Sequence, residues 1–547
     1  MKILAGALGD CVHVAGVQHF LAQAERLGHE VRFTGPATDP ETWAEMAQEF
    51  QPDVIGVSYR LTPETARREL ADFWAIMQAA DLTDRTFVFG GTPPVAAVAR
   101  EMDVFEAIFD GSEPPSATLH YLQGAGSDAE RPVPPQSLLD RIHWKAPYPL
   151  LRHHFGIPAE TIEPTVEGIA QIAEAEVIDV ISLGADQEAQ AHFFRPDLQN
   201  SRRRGSGGVP FRTEADLERL YAASRTGNYP LLRSYSGTAD LLRYAELLVR
   251  TLNNAWCATS LFWFNNMDRR GPLSLEDSIR DHIALMAWHG ERNIPVEGNE
   301  PYHWGMRDAP DVISVAVSYI YAHNARKAGV RDYITTYMFE SPPQLSNRMD
   351  LAKALAQIQL AESFASDTFR IWRQTRSGLL GYPVDPVRAR AHLAQSISLQ
   401  MALHPSLLHI VGYSEADHAA SAEEVIESAV MAQHVIETAL QGQPDMKYDP
   451  ILLERTEELV AEAHILIDAI RALGADDVDD PLGDPATLTR AVTTGLLDSP
   501  QLVGNPYARG TIRTRAIDGA IVAVDDDGDP LTERERIRRV QEDMARA

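Results

Sequence analysis

The run Ile3-Leu4-Ala5-Gly6-Ala7-Leu8, followed by Gly9-Asp10-Cys11-Val12-His13-Val14-Ala15-Gly16, sets the reading of the amino-terminal region. Residues 2–8 form a short apolar stretch, the pattern of a strand buried on both faces. The turn at Gly9-Asp10 ends it. Apolar residues then recur at helical spacing over 14–27. Gly28 stops that helix, because glycine accepts the left-handed conformation found at helix ends. Outward from here the unit repeats. Strands are expected at 29–33, 54–57, 86–89 and 107–109, with helices at 41–50 and 63–79. Short buried strands alternating with amphipathic helices predict a parallel sheet covered on both faces, in a domain spanning residues 1–124.

Residues 125–165 carry Pro132, Pro134, Pro135, Pro147, Pro149 and Pro158 and read as a linker with partial order. Strand–helix alternation resumes at about 166. Strand candidates at 177–183, 231–234, 258–264, 295–297, 333–337 and 407–411 alternate with helices over 213–224, 239–254, 274–290, 312–328 and 347–367. A serial run of this length suits a (β/α)8 barrel over residues 166–475 better than an open sheet. Fewer than eight strands are legible, so closure is inferred. Residues 476–547 form a carboxyl-terminal extension that includes the acidic turn Asp525-Asp526-Asp527-Gly528.

Composition narrows the partners. The 547 residues hold Lys+Arg 49 against Asp+Glu 78, a formal charge of −29. Such a surface repels phosphate backbones and anionic lipid, which argues against nucleic-acid and membrane binding. Cys11 and Cys257 are the only cysteines. They cannot build a disulfide framework or a thiolate zinc cluster, and they fit a reducing cytoplasm. The first apolar run is too short for a signal peptide, and no stretch is long and apolar enough to span a bilayer. A cytoplasmic location is expected.

The first chemical signal lies at one sheet edge. In open parallel sheets, ligands bind outside the carboxyl ends of the strands. His13 follows the first strand, Ser58 the third and Gly90-Gly91 the fourth. One edge thus presents an imidazole, a hydroxyl and a stretch without side chains. Taken singly, each has a plain reading: a solvated histidine, Asp10 as a helix cap, a glycine pair as turn punctuation. Together they point to a metal-containing ligand. Imidazole is a good transition-metal ligand, and a nearby carboxylate can accept its other N–H.

With these residues in order, region 1–124 resembles cobalamin-binding domains of the flavodoxin-like kind. That family carries Asp-x-His-x-x-Gly, then Ser-x-Leu, then Gly-Gly. His13-x-x-Gly16, Ser58 and Gly90-Gly91 match. The resemblance implies that His13 is the lower axial ligand of cobalt. It implies that Ser58 and the glycines receive the displaced nucleotide tail. Two departures stand out. Val12 is extra, so Asp10 lies one residue too far from His13. Arg60 holds the leucine position, with Leu61 one residue late.

Residues 166–547 are similar, more distantly, to the catalytic barrel of glutamate mutase (methylaspartate mutase). The similarity is best at Arg233-Ser234-Tyr235-Ser236-Gly237-Thr238-Ala239-Asp240, at Asn299-Glu300-Pro301-Tyr302, at Ile334-Thr335-Thr336-Tyr337-Met338-Phe339-Glu340 and at Gly495-Leu496-Leu497-Asp498-Ser499-Pro500. The resemblance implies an isomerase that uses adenosylcobalamin to generate a substrate radical inside a barrel that excludes water. It also implies a homodimer. Arg233, Tyr235, Asn299, Tyr321 and Glu340 become the candidate catalytic residues, and Glu415 a candidate for the ribose hydroxyls of the cofactor. The pocket departs from the family. Tyr235 and Asn299 stand where two substrate-clamping arginines are expected, Tyr321 stands near a family glutamate, and Val411 replaces a lysine. Losing two arginine clamps argues against glutamate as substrate, while a carboxylic or amino acid remains the expected class.

Other polar residues near strand ends are candidates for the barrel mouth: Asp186, Gln187, His192, Arg195, Asn265, Asn266, Asp268, Arg269, Glu297 and His303. Trp263 and Trp304 are better read as core. Arg202-Arg203-Arg204 reads as a surface loop. Two other functions compete. A corrinoid (methylcobalamin) methyltransferase uses the same cofactor domain, but Cys257 has no partner at metal spacing. A cobalamin sensor pairs that domain with a DNA-binding module, which the charge and the long barrel segment oppose.

Overall fold

The computed structural model describes residues 1–113, 117–122 and 133–546. The chain divides into two compact units, Met1–Pro132 and Val133–Ala547.

The first unit is built on β1 (Lys2–Ala7), β2 (Glu30–Phe33), β3 (Val54–Tyr59), β4 (Thr86–Gly91) and β5 (Ala107–Phe109). All pair in parallel, in the order β2-β1-β3-β4-β5. The strands are buried on both sides. Ile3, Ala5, Val54 and Val88 meet Val17, Leu21 and Ala24 of the helix Ala15–Arg26. Leu4, Ile55, Val57, Phe87 and Phe89 meet Trp43, Leu70 and Phe73 of the opposite layer. Helices Pro40–Phe50 and Pro63–Ala79 start where Asp39 and Thr62 accept the backbone N–H groups of Thr42 and Thr65, with proline at the first position. Strand order reverses between β1 and β3, which opens a crevice at their carboxyl ends.

The second unit is a parallel barrel of eight strands. These are β6 (Leu150–Phe155), β7 (Val180–Leu183), β8 (Leu231–Ser234), β9 (Cys257–Thr259), β10 (Val296–Gly298), β11 (Asp332–Met338), β12 (Arg370–Arg376) and β13 (Leu407–Ile410). Each pairs with its neighbour in sequence except β8 with β9, and β13 pairs with β6. At the remaining seam, between β8 and β9, the Ala255 N–H donates to Leu232 O at 2.9 Å. The barrel is therefore nearly closed. Its amino end is plugged by Leu150, Val180, Leu231, Trp256, Ile334 and Leu407, packed on Leu138 and Ile142 of the helix Leu138–Lys145. Buried Arg141 caps the plug, donating to the carbonyls of Pro134, Pro135, Asp179 and Tyr229.

Three sequence expectations change here. The described part of the expected linker is ordered: it supplies the plug helix and β6, so the barrel begins well before residue 166. Proline density misled because Pro147 and Pro149 only flank the entry to a strand. The strand expected at 258–264 ends at Thr259, and the residues after it form turns. The tail is part of the second unit. Helices Pro450–Arg471 and Pro485–Thr493 join the core around Ile320, Leu360 and Leu466. A hairpin of β14 (Thr514–Ile517) and β15 (Ala520–Ala523) precedes the final helix Glu533–Arg546. Among the described residues, no helix is long and apolar enough to cross a membrane.

Candidate functional site

The β1–β3 crevice of the first unit carries the cofactor candidates. Ala7 pairs with Ser58, and Ser58 with Gly90, so three small residues form a row across β1, β3 and β4. Two residues earlier in the same register, a Cβ added to Gly56 would meet Phe20 of the helix Ala15–Arg26 at 3.5 Å. Side chains two apart on a strand share a face, so the row lies on the side of the sheet that this helix covers. A Cβ at Gly90 would meet nothing within 4 Å, so space is open above the row. At Gly91 a Cβ would come within 2.6 Å of the Tyr59 carbonyl, so this position tolerates only glycine. Ser58, Gly90 and Gly91 are strand residues here, not loop residues, because β3 and β4 run two residues further than their apolar cores suggest.

His13 sits on the loop after β1. It is exposed, and it has no hydrogen-bond partner among the described residues. Asp10 is exposed on the same loop, and no hydrogen bond joins it to His13. The extra Val12, 62% exposed, separates them. Gly16 lies in the first turn of the helix with open space at its Cβ, and Leu61 is exposed on the loop after β3. An unpartnered imidazole beside an open slot floored by small residues fits a cobalt corrinoid with its tail detached.

Inside the barrel, polar residues are stacked in layers. The lower one draws on alternate strands, as barrel interiors do: Arg152 from β6, Arg233 from β8, Glu297 from β10 and Gln374 from β12. All four are essentially inaccessible. Glu297 accepts from Arg152 at 3.0 and 3.1 Å, from Arg233 at 2.8 Å, from Trp256 at 2.7 Å and from Gln374 at 2.8 Å. Burial pushes its carboxyl up, but Arg152 and Arg233 outweigh burial and hold it well below the usual carboxylate range. Burial and repulsion from Arg233 pull Arg152 down to about 10, so it stays a cation at neutral pH.

Two residues further along the same strands comes the mouth: His154, Tyr235, Asn299 and Arg376. The Tyr235 ring lies over the Arg233 guanidinium at 4.2 Å and stacks on His154 at 5.6 Å, with its hydroxyl 3.3 Å from His154 Nε2. His409 of β13 lies 4.7 Å from His154, ring to ring. Burial, reinforced by the arginines, holds His154, His303 and His409 well below the ordinary imidazole value. They are neutral at pH 7. Tyr235 is lowered as well, by charge alone: burial raises it, but Arg233, Arg152 and Arg376 lower it more.

These residues open onto a cavity of about 780 Å³ at the carboxyl ends of the strands, lined among others by His154, Tyr235, Tyr302, His303, Arg376 and Glu415. Several deeply buried polar atoms around it have no partner among the described residues: both ring nitrogens of His303, Nδ1 of His409 and both amide atoms of Asn299.

The expected residues therefore scatter. Tyr235 and Glu415 line the cavity, Glu415 from an exposed position at its rim. Arg233 lies beneath Tyr235. Asn299 is buried just beyond β10. Glu340 is on the loop after β11, outside the cavity lining, in a left-handed conformation with φ 52°. Ser396 donates to its Oε2 at 2.9 Å, Oε1 is unpartnered, and burial raises its carboxyl to about 7. Tyr321 corrects an expectation. It lies on the helix Asp311–Lys327 behind the wall, stacked on Tyr333, with its hydroxyl donating to the Glu297 carbonyl at 3.3 Å. It is packing. Trp263 and Trp304 meet edge-on at 4.9 Å in the core, as read. Gln187, His192, Arg203, Arg269 and His303 reach the cavity lining. Sequence reading missed Arg152, His154, Arg376 and His409. For Arg152, His154 and Arg376 the signal was the polar residues of β6 and β12, which resemble an exposed strand; His409 is the one polar residue of β13.

Residues 1–118 match the model of the family described as B12 binding domain. No curated protein matches the chain. Among solved structures, Mycobacterium tuberculosis tryptophan synthase is similar at 13% identity over 55% of this chain and 99% of that chain, with a TM-score of 0.32. 2,3-Dimethylmalate lyase, a PEP mutase/isocitrate lyase superfamily member, is similar at 13% over 60% and 96%, with a TM-score of 0.28. The cobalamin-dependent S-adenosylmethionine radical enzyme OxsB is similar at 10% over 88% and 63%, with a TM-score of 0.18. The amino-terminal region is thus a B12-binding domain, which supports cobalamin as the cofactor.

Proposed function

We propose that the chain is an adenosylcobalamin-dependent carbon-skeleton mutase, an isomerase resembling glutamate mutase in mode but acting on a different carboxylic acid. The observation that carries this reading is the union, in one chain, of a B12-binding domain with a barrel whose mouth is a cavity walled by buried polar groups. In this reading His13 would hold the cobalt, Ser58, Gly90 and Gly91 would receive the nucleotide tail, and Asp10, Gly16 and Leu61 would flank it. When bound, adenosylcobalamin supplies a carbon radical able to take hydrogen from an unactivated C–H bond. The barrel residues do the rest. The apolar plug seals the far end against water. Tyr235, Asn299 and the neutral imidazoles orient the substrate without adding charge. Glu340, ionising near neutrality, can hold or release a proton, and Glu415 offers a carboxylate to the cofactor's ribose. The resemblance makes a cytoplasmic homodimer part of the proposal.

The methyltransferase reading gains little. Both cysteines are buried, and burial pushes the Cys257 thiol up to about 12. The test is anaerobic incubation of the full chain with adenosylcobalamin tritiated at C5′ and a panel of short carboxylic acids. Tritium recovered in an acid supports a mutase. Methyl transfer from methylcobalamin to a thiol, with no tritium reaching any acid, would replace it with a methyltransferase.

A further inference from the structure

The barrel interior has more buried cations than partners for them. Arg152 and Arg233 share Glu297, and that layer is knitted further by Ser182 and Gln374. Arg376 is different. It stands two residues beyond Gln374 on β12, on the same inward face, and is 5% exposed. Its Nε donates to the Ser377 carbonyl at 3.3 Å, and its guanidinium lies 5.4 Å from the Tyr302 ring. Among the described residues, no carboxylate pairs with it. A guanidinium taken out of water without a counter-ion is costly, and its planar fork suits a carboxylate.

We propose that Arg376 is the anchor for the substrate carboxylate, and that the substrate carries one such group with a neutral hydrogen-bonding group at its other end. The cavity supports both halves. Arg203, Arg269 and Arg270 also line it but are exposed at the rim. Glu415 also lines the cavity and feels the charge of Arg376, but it is exposed and forms no ion pair with that guanidinium. Arg233 is covered by the Tyr235 ring and paired with Glu297 through Nη2; its Nε and Nη1 have no partner among the described residues, but the side chain does not line the cavity. The groups left to meet the far end are neutral: the Tyr235 hydroxyl and the unpartnered nitrogens of His303 and His409. A dicarboxylate would find a second charge there without a cation to meet it.

The proposal rests on reading the barrel as the substrate chamber of the mutase, but binding can be measured without turnover. The full chain is titrated with butanoate, butanamide and pentanedioate, followed by saturation-transfer NMR. Butanoate should bind at least tenfold more tightly than butanamide, and pentanedioate no more tightly than butanoate. Arg376→Gln should weaken butanoate about 10- to 100-fold and leave butanamide unchanged, and Arg376→Lys should recover part of the loss. Equal binding of acid and amide by the unaltered chain would overturn the proposal even if the variants fail to fold. So would tenfold tighter pentanedioate, or butanoate indifferent to Arg376→Gln. Arg376-dependent butanoate binding with no tritium exchange into any acid would uphold this anchor and overturn the mutase reading alone.

Discussion

The two units carry their chemistry in opposite places. In the first, the central strands are largely apolar and the candidate ligand sits on a loop: His13 is exposed, and the slot beside it is made of residues that lack bulk. In the second, the loops contribute less and the strands themselves hold the charges, with Arg152, Arg233, Glu297 and Gln374 interlocked at the centre of the barrel. A loop ligand can be removed without disturbing the core. A buried ionic layer cannot, because losing one member strands the others in a medium that does not solvate them. The first unit is therefore expected to separate binding from stability, and the barrel to couple them.

The contrast is sharpest at Glu297. Glu297→Gln leaves Arg152 and Arg233 buried without a counter-ion and should destabilise the second unit by about 3–5 kcal/mol, read from denaturant unfolding. A loss under 1 kcal/mol would mean that water or another anion already reaches this layer. A smaller effect is expected at Glu340. Its carboxyl ionises at about 7 when folded, against 4.5 ordinarily. The folded chain binds more protons between those values, so this contribution to stability is complete below about 4.5 and lost as pH rises through about 7. Glu340→Gln should remove that slope, by on the order of 1–3 kcal/mol between pH 5 and 8. Parallel pH profiles for the two proteins would show that Glu340 is hydrated. Smallest in stability is Gly90→Val. The added side chain enters open space on a strand, so unfolding should shift by no more than about 0.5 kcal/mol. Cobalamin affinity should nevertheless fall at least tenfold. Unchanged affinity would mean that the tail does not occupy this slot.

The same contrast governs what the sequence made legible. Strands buried on both sides by helices are continuous apolar runs, so β1, β3 and β4 could be read directly, and their carboxyl ends exposed His13, Ser58 and the glycine pair as a set. In the barrel, β6 reads Leu-Leu-Arg-His-His-Phe and β12 reads Arg-Ile-Trp-Arg-Gln-Thr-Arg. Both look like surface strands or loops, because the reading assumes that charge faces water. Here the inward face is the polar one, and alternation places Arg152, His154, Gln374 and Arg376 inside. The missed strands are the ones that build the mouth of the cavity. Tyr321 shows the reverse error: a polar residue aligned to a site position that turns out to lie behind the wall, where only packing and one carbonyl contact hold it.

The decisive measurement is electron paramagnetic resonance of the full chain, reconstituted with cob(II)alamin and grown with ¹⁵N-labelled histidine. If His13 is the lower axial ligand, the nitrogen splitting of the cobalt lines changes from triplets to doublets on labelling and disappears in His13→Ala, whose unfolding is unaltered. Triplets that persist after labelling, or a histidine signature that survives His13→Ala, would contradict the assignment of His13 to cobalt.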